Sequence, residues 1–350
     1  MATSRILVTG GSGFVGSRVA ALLADARHAD DAVAVRLLVH TSRPVVCESP
    51  RIQTHHGSLS DAASLRGVCD GVDTVLHLAS QIGGDPERCS AVNDAGTRAL
   101  LAEAARAGVG RIIQLGTTAV YRDGRHRGAV EGELPLGPTS PTSIARLAGE
   151  EQVLAADGVV LRPHLIYGRG DTWVVPALAQ FMTAIPCWVN GGRALISMIG
   201  ADDLAQAIVS LALHPALPRG TVLHASRPEP VRVRELIHAA AQKLGLPLPV
   251  GEVAYERAAE LLDTAHDRAA LRRLSLLAAD HWYDSSRLWR LLDSAPARGF
   301  AEDFADSAPW YRQYLAGSRH SAPVLSARSR SHAPRVSVPT RTAGPVRSAG

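Results

Sequence analysis

A chain of 350 residues is large enough to bury one broad core or two smaller ones. With 46% hydrophobic residues and no run of 18 apolar ones, it reads as a soluble protein without a membrane span, and no leader is expected ahead of its first strand. The formal charge of +4 does not mark a nucleic-acid-binding face: of 37 basic residues, six arginines lie in the acid-free stretch 318–350, leaving 31 against 33 acids.

That terminal stretch, rich in Ser, Pro, Ala and Arg, predicts a disordered basic tail over residues 316–350. The four cysteines, Cys47, Cys69, Cys89 and Cys187, form neither a CxxC pair nor a metal pattern, and the histidine spacings suggest no metal site. Free thiols in a reducing cytoplasm are the plain reading.

The apolar run Ile6-Leu7-Val8 reads as a strand buried on both faces, and a helix is expected over Ser17–Ala26. Between them stand Gly10, Gly11, Gly13 and Gly16. Strand, glycine turn and helix are the context in which Gly-x-Gly-x-x-Gly binds a dinucleotide. Gly10 and Gly13 admit a tight turn and a close pyrophosphate, and Gly16 lets the helix pack on the strand. Ser12, Phe14 and Val15 complete a turn whose N–H groups face phosphate at a helix N-terminus.

Val33–Val39 reads as the second strand, followed by His40-Thr41-Ser42-Arg43. A carboxylate there would bond the adenosine ribose of NAD; instead the position offers hydroxyls and a guanidinium. Arg43 with Ser42 therefore suggests a 2′-phosphate and NADPH, with NADH the alternative. Further strands are expected at Ile52–His56, Val72–Ala79 and Arg111–Leu115, with a helix after Asp61 and another over Asn93–Ala107. Strands alternating with helices predict an α/β fold, a doubly wound parallel sheet of Rossmann type. Ligands in such a sheet lie beyond the strands' carboxyl ends, which gathers His40, Ser58, Leu59, Leu78, Ala79, Ser80 and Gly116–Thr118 into one rim.

The segments Thr9–Gly16, Gly57–Asp61, His77–Ala79, Asn93–Thr97, Thr117–Tyr121, Leu161–Pro163, Tyr167-Gly168, Ala201–Leu204 and Asp284–Leu288 occur in one order along the chain. Together they resemble the extended short-chain dehydrogenase/reductases, the NAD-dependent epimerase/dehydratase family. The resemblance implies a Rossmann domain mainly over 1–170, with returns near 195–225 and 280–290. It implies a smaller C-terminal α/β substrate-binding domain mainly over 171–315, and a cleft between the two. It also places Pro163 and His164 beside the nicotinamide.

The family's acid is a Tyr followed four residues later by Lys, which lowers the phenol toward neutral pH. Lys243 is the only lysine in the chain, and Ala239 stands four residues before it, so no Tyr-x-x-x-Lys exists. In Ser140-Pro141-Thr142-Ser143-Ile144-Ala145-Arg146 the tyrosine position holds Thr142 and the lysine position Arg146. An aliphatic hydroxyl is too weak an acid, and a guanidinium too weak a proton donor, to replace the pair.

Three readings remain. In the first, Thr117, with Ser143, bonds the oxygen of a ketone under hydride attack, Arg146 orients the nicotinamide ribose, and a substrate phenol supplies the proton. His164 and Tyr167 are other candidate acids. In the second, the chain is a nucleotide-sugar ketoreductase, epimerase or dehydratase. In the third, it binds NADP(H) for regulation alone. Trp173, Trp188 and Met198 are expected to line an apolar cleft suited to a flat aromatic substrate. This combination resembles the ketoreductases of aromatic polyketide tailoring, the angucyclinone type in antibiotic biosynthesis among them. The expected partner is that small molecule, with no nucleic acid or membrane, in a monomer or homodimer.

Overall fold

The computed structural model describes residues 4–25, 33–41, 51–262 and 268–318. The first half of the chain forms β1 (Ser4–Thr9), α1 (Gly16–Ala24), β2 (Val33–Val39), β3 (Ile52–His56), β4 (Thr74–His77), α2 (Pro86–Ser90), α3 (Gly96–Arg106), β5 (Arg111–Leu115), β6 (His126–Ala129), α4 (Pro141–Ala155), β7 (Val159–Arg162) and β8 (Leu165–Tyr167). There follow α5 (Val174–Ala184), β9 (Trp188–Val189), β10 (Leu195–Ile196), β11 (Met198–Gly200), α6 (Ala201–Leu213), β12 (Thr221–His224), β13 (Val231–Arg232) and α7 (Val233–Leu244). The last elements are β14 (Glu252–Val253), α8 (Tyr255–Leu261), α9 (Arg268–Ala278), β15 (His281–Tyr283), α10 (Ser286–Leu292) and α11 (Phe300–Ser318).

Seven strands pair in the order β12-β7-β5-β4-β1-β2-β3, all parallel. Alternating strand residues point to opposite faces, and here both faces are covered. Ile6 and Val8 pack with Val19 and Leu23 of α1 and with Leu204 and Ile208 of α6. Leu7 points the other way, into a cluster with Leu100 and Ala104 of α3 and Val153 of α4. All three strand residues are fully buried, each worth roughly 1.5–3 kcal/mol relative to exposure. Strand order reverses between β1 and β4, which opens the ligand crevice at their carboxyl ends.

A second body of structure follows β8. A four-stranded sheet runs β13-β10-β15-β6, and two short pairs, β11 with β8 and β14 with β9, lie apart from it. Its core is built from Val175, Leu178 and Met182 of α5, Leu236 and Ile237 of α7, and Phe304 and Tyr311 of α11. The loop before α5 is tied to the last helix. Asp171 Oδ1 accepts from the backbone of Trp173 and Val174, at 2.7 and 2.8 Å, and Oδ2 accepts from Val175 at 2.9 Å. The Tyr311 hydroxyl donates to Asp171 Oδ2 at 2.9 Å and accepts from the Gly168 N–H at 2.8 Å.

Several sequence expectations change in detail. The strand expected over Val72–Ala79 pairs only through Thr74–His77, and a single 3-10 turn, Ala62–Leu65, stands where a helix was expected after Asp61. Ahead of α7, Val231 and Arg232 form β13, which pairs antiparallel with β10. Helix α11 continues to Ser318, so residues 316–318 are helical rather than tail, and 319–350 lie outside the described residues.

Candidate active site

The turn after β1 is shaped by what its glycines exclude. Gly10 has φ +72°, and a Cβ there would stand 2.6 Å from the backbone nitrogen of Ala79. A Cβ on Gly16 would come within 2.1 Å of the Gly10 carbonyl oxygen, which itself accepts from Gly13 N at 2.9 Å. Val15, the N-cap of helix α1, makes no side-chain capping bond. Among the described residues, the N–H groups of Phe14 and Val15 have no protein acceptor. An uncapped helix start behind a glycine turn is a cradle for a phosphate, and these residues fit the pyrophosphate of a dinucleotide.

Two cavities meet at this turn. One, of about 270 Å³, runs from Gly10 and Ser12 past His40 to Ser58, Leu59, Ala79 and Ser80, so it gathers most of the rim expected from the sequence. The other is an open groove of about 750 Å³ between Ser12–Phe14, Arg169 and Trp310. Ser42 and Arg43 lie outside the described residues. Leu78 is buried in the main core, so its side chain supports the rim from behind.

A chain of buried hydrogen bonds holds the rim. Thr97 donates to the Asn93 carbonyl at 2.8 Å, so its oxygen accepts from His77 Nε2–H at 3.0 Å. The Nδ1 of the neutral ring then accepts from the Thr9 hydroxyl at 2.8 Å, and Thr9 in turn accepts from the Ala79 N–H at 3.2 Å. Burial, with the Arg146 charge adding to it, pushes the His77 pKa down to about 4.

The end of β5 carries Thr117. Its N–H donates to Glu150 Oε1 at 3.0 Å, and its hydroxyl oxygen accepts from Ala119 N at 3.1 Å. Among the described residues the hydroxyl proton of Thr117 has no acceptor, which leaves it available to an outside oxygen. Behind it, Arg162 Nε donates to Glu150 Oε2 at 2.8 Å, both side chains being buried, and the same guanidinium lies 5.0 Å over the Tyr121 ring.

Helix α4 carries Thr142 and Arg146, the residues expected where an acid tyrosine and its lysine would stand. Thr142 Oγ1 accepts from Gly83 N at 3.1 Å and lies 3.5 Å from the buried Cys89 thiol, so it fastens the loop after β4. The Arg146 guanidinium donates to the carbonyls of Leu115 and Gly116, at 2.9 and 2.7 Å, through one nitrogen. Ser143, expected to share in catalysis, is instead the reciprocal partner of Ser140 in the capping box of α4. A helix cap spends both functions of that hydroxyl, so its part is structural.

His164 follows Pro163 at the turn between β7 and β8. Its Nδ1 lies 2.8 Å from Thr118 Oγ1, and its buried Nε2 has no hydrogen-bond partner among the described residues. The ring stacks on His281 and lies 5.4 Å from Tyr283, at the seam where the small sheet meets the large one. Burial, then the neighbouring His281 and His126, hold His164 well below its ordinary pKa. Around it, Tyr121 donates to His224 Nε2 at 2.7 Å and Tyr283 to His126 Nδ1 at 2.8 Å. The opposite ring nitrogens donate to the Asp284 and Arg122 carbonyls, which fixes these tautomers. No local pattern announces this His–Tyr cluster, whose members are spread over some 160 residues without periodicity.

The aromatic lining expected of the cleft does not form. Trp188 is packed in the second core beneath Arg234, 4.2 Å from ring to guanidinium, and Met198 is fully buried there. Trp173 stands 62% exposed at the start of α5. Core and cleft positions in a small unit use the same apolar residues, so residue type alone could not separate them.

A model of the NAD dependent epimerase/dehydratase family matches residues 6–223. The 4-hydroxy-2-methyl-3-oxo-4-farnesyl-3,4-dihydroquinoline-1-oxide ketoreductase of Stigmatella aurantiaca is 30% identical over 73% of this chain and 77% of its own. A dTDP-glucose 4,6-dehydratase of Streptomyces griseus is 27% identical over 89% of this chain and 95% of its own. Among solved structures, the dTDP-glucose 4,6-dehydratase of Streptomyces venezuelae, with NAD bound, superimposes with a TM-score of 0.68 at 24% identity, over 89% of this chain and 98% of that one. The chain therefore belongs to the NAD-dependent epimerase/dehydratase family, which uses a nicotinamide cofactor.

Proposed function

We propose that this protein is an NADPH-dependent ketoreductase acting on a ketone of an aromatic polyketide, the substrate bringing its own proton donor. Residues 1–170, with returns near 195–225 and 280–290, serve mainly as the cofactor unit, and 171–315 mainly as the substrate unit. The enzyme is cytoplasmic, a monomer or homodimer, with a small molecule as its partner.

The observation that carries it is the fate of the acid position. Thr142 is committed to Gly83 and Cys89, and Arg146 to two backbone carbonyls, so neither is a phenol poised near neutral pH. Thr117 retains a hydroxyl proton with no acceptor among the described residues, just past the end of β5, the neighbour of β4 in the sheet. A reduced nicotinamide, when bound, supplies hydride. Thr117 then donates a hydrogen bond to the oxygen on which negative charge develops. A hydroxyl adjacent to the ketone on the substrate itself supplies the proton. Ketoreductase chemistry on a ring ketone in the Stigmatella relative's name supports this class of substrate.

A second reading, a nucleotide-sugar ketoreductase or epimerase, is favoured by the near full-length match to the Streptomyces griseus dehydratase. A third, NADP(H) binding without catalysis, follows if no turnover exists. The test is binding of NADPH and NADH, followed by nicotinamide absorbance with peri-hydroxy aromatic ketones and with nucleotide sugars. Turnover confined to the peri-hydroxy ketones supports the proposal. Turnover of nucleotide sugars supports the second reading, and tight binding with neither activity supports the third.

A further inference from the structure

The cavity at the carboxyl end of β2 has two unlike walls. The first is the strand end and the turn after β3, with His40, Thr41, Ser58 and Ser60. The second is helical and presents Arg88, Ala91 and Val92. Their spacing, i, i+3 and i+4, sets them on one side of the stretch that runs from α2 into the π-helical turn Ala91–Ala95.

Both ends of that stretch are tied down. Asp85 Oδ1 accepts from Arg88 N at 2.7 Å and Pro86 occupies the first turn, which fixes where the helix starts. At the far end Asn93 Oδ1 accepts from Gln81 N at 2.8 Å, and Asn93 Nδ2 donates to the Gln81 carbonyl at 3.0 Å. The helix wall is thus held against the loop after β4, and Arg88 is carried to the rim of the cavity. Ala91 and Val92 make a low apolar surface suited to a flat base. Arg88 is the only cation lining this cavity among the described residues, no carboxylate lines it, and none is paired with Arg88 there.

We propose that Arg88 is a specificity residue of the adenosine subsite, its guanidinium binding the 2′-phosphate of NADP(H) across from the end of β2. This rests on the NADP(H) reading above and adds a contact from a different element to the one expected of Arg43. A planar fork of donors matches two phosphate oxygens, and a phosphate monoester brings about 1.5–2 negative charges that the ribose hydroxyl of NADH lacks. The contact therefore discriminates between the two cofactors and does not strengthen both.

The experiment is a calorimetric titration of the full chain with NADPH and with NADH, repeated for Arg88→Gln and Arg88→Lys. Displacement by adenosine 2′,5′-bisphosphate and by 5′-AMP gives a readout free of the nicotinamide. Arg88→Gln is expected to weaken NADPH and the bisphosphate on the order of 10-fold or more, with NADH and 5′-AMP within about twofold. Arg88→Lys restores part of the loss, and the difference shrinks in high salt. Equal weakening of both cofactors would make Arg88 a partner of the base and overturn the proposal, as would no change in either. A wild type that prefers NADPH and keeps that preference in Arg88→Gln sinks the Arg88 assignment alone. A wild type that prefers NADH sinks the NADP(H) reading and Arg88 with it.

Discussion

Glu150 holds Thr117 from behind: one carboxylate oxygen accepts the Thr117 N–H at 3.0 Å while the other accepts from Arg162 at 2.8 Å. Burial pushes the Glu150 carboxyl above its ordinary pKa, with Arg162 and Arg146 pulling the other way. A residue just past the end of β5 is thereby fixed through a buried ion pair reaching from α4 to β7. Removing one partner of such a pair leaves the other as an uncompensated buried charge. Glu150→Ala is expected to cost about 3–5 kcal/mol in urea unfolding, and Glu150→Gln less, because the amide fills the same space and its one oxygen still accepts one of the two bonds. A loss for Glu150→Ala below about 1 kcal/mol would contradict this account.

The His77 ring predicts an acid-side loss of stability. Its folded pKa of about 4 lies below its unfolded value near 6.5, so the unfolded chain binds more protons between the two. The contribution is complete above about pH 6.5, declines as pH falls, and is gone below about pH 4, amounting to roughly 3 kcal/mol. The buried rings of His126, His164, His224 and His281 are shifted the same way, each first by burial, and steepen the same slope. Urea midpoints measured from pH 7.5 to 4.5 should fall steadily. In His77→Gln the fall should be shallower; an unchanged slope would remove His77 from the explanation.

Gly16→Ala brings a methyl to 2.1 Å from the Gly10 carbonyl, a contact that backbone must move to relieve. The movement displaces the glycine turn that supplies the free N–H groups. Dinucleotide binding is expected to drop by at least about 100-fold, with a stability cost of about 1–3 kcal/mol. Retention of wild-type affinity by this variant would show that the turn is not the phosphate cradle.

Installing a tyrosine at 142 and a lysine at 146 should not create a working acid. Thr142→Tyr removes the acceptor for Gly83 N, and Arg146→Lys replaces a guanidinium that bonds two strand-end carbonyls with a single ammonium. The double variant is expected to be about 1–3 kcal/mol less stable and no faster in NADPH oxidation. A clear gain in turnover would mean that the pocket still has the geometry of a phenolic acid.

The central sheet was legible because parallel strands buried on both faces are short apolar runs set between turn residues. Val33–Val39, Ile52–His56 and Arg111–Leu115 occur with the expected bounds. The ends of β4 were not legible: Leu78 is as buried as a strand residue but leaves the ladder to form the rim. The glycine turn and its cavity could be read because spacing alone encodes backbone shape. The substrate side could not. Whether Trp188 faces a cleft or a core depends on α7 bringing Arg234 over it, a contact between residues 46 positions apart that no local pattern announces. Arg88 was passed over for a similar reason, since it belongs to no motif and becomes visible only when its helix is set against β2.

The hydroxyl of Tyr311 bears on how the protein is made. It bonds Gly168 and Asp171, residues 143 and 140 positions earlier, and Asp171 in turn organises the start of α5. During synthesis the glycine turn, β2 and β4 emerge first, and α6, which covers Ile6 and Val8 on one face, follows later. The far wall of the crevice must wait until nearly the whole described chain has been translated. The loop before α5 therefore takes its bonded form only once the last helix has been made and has docked.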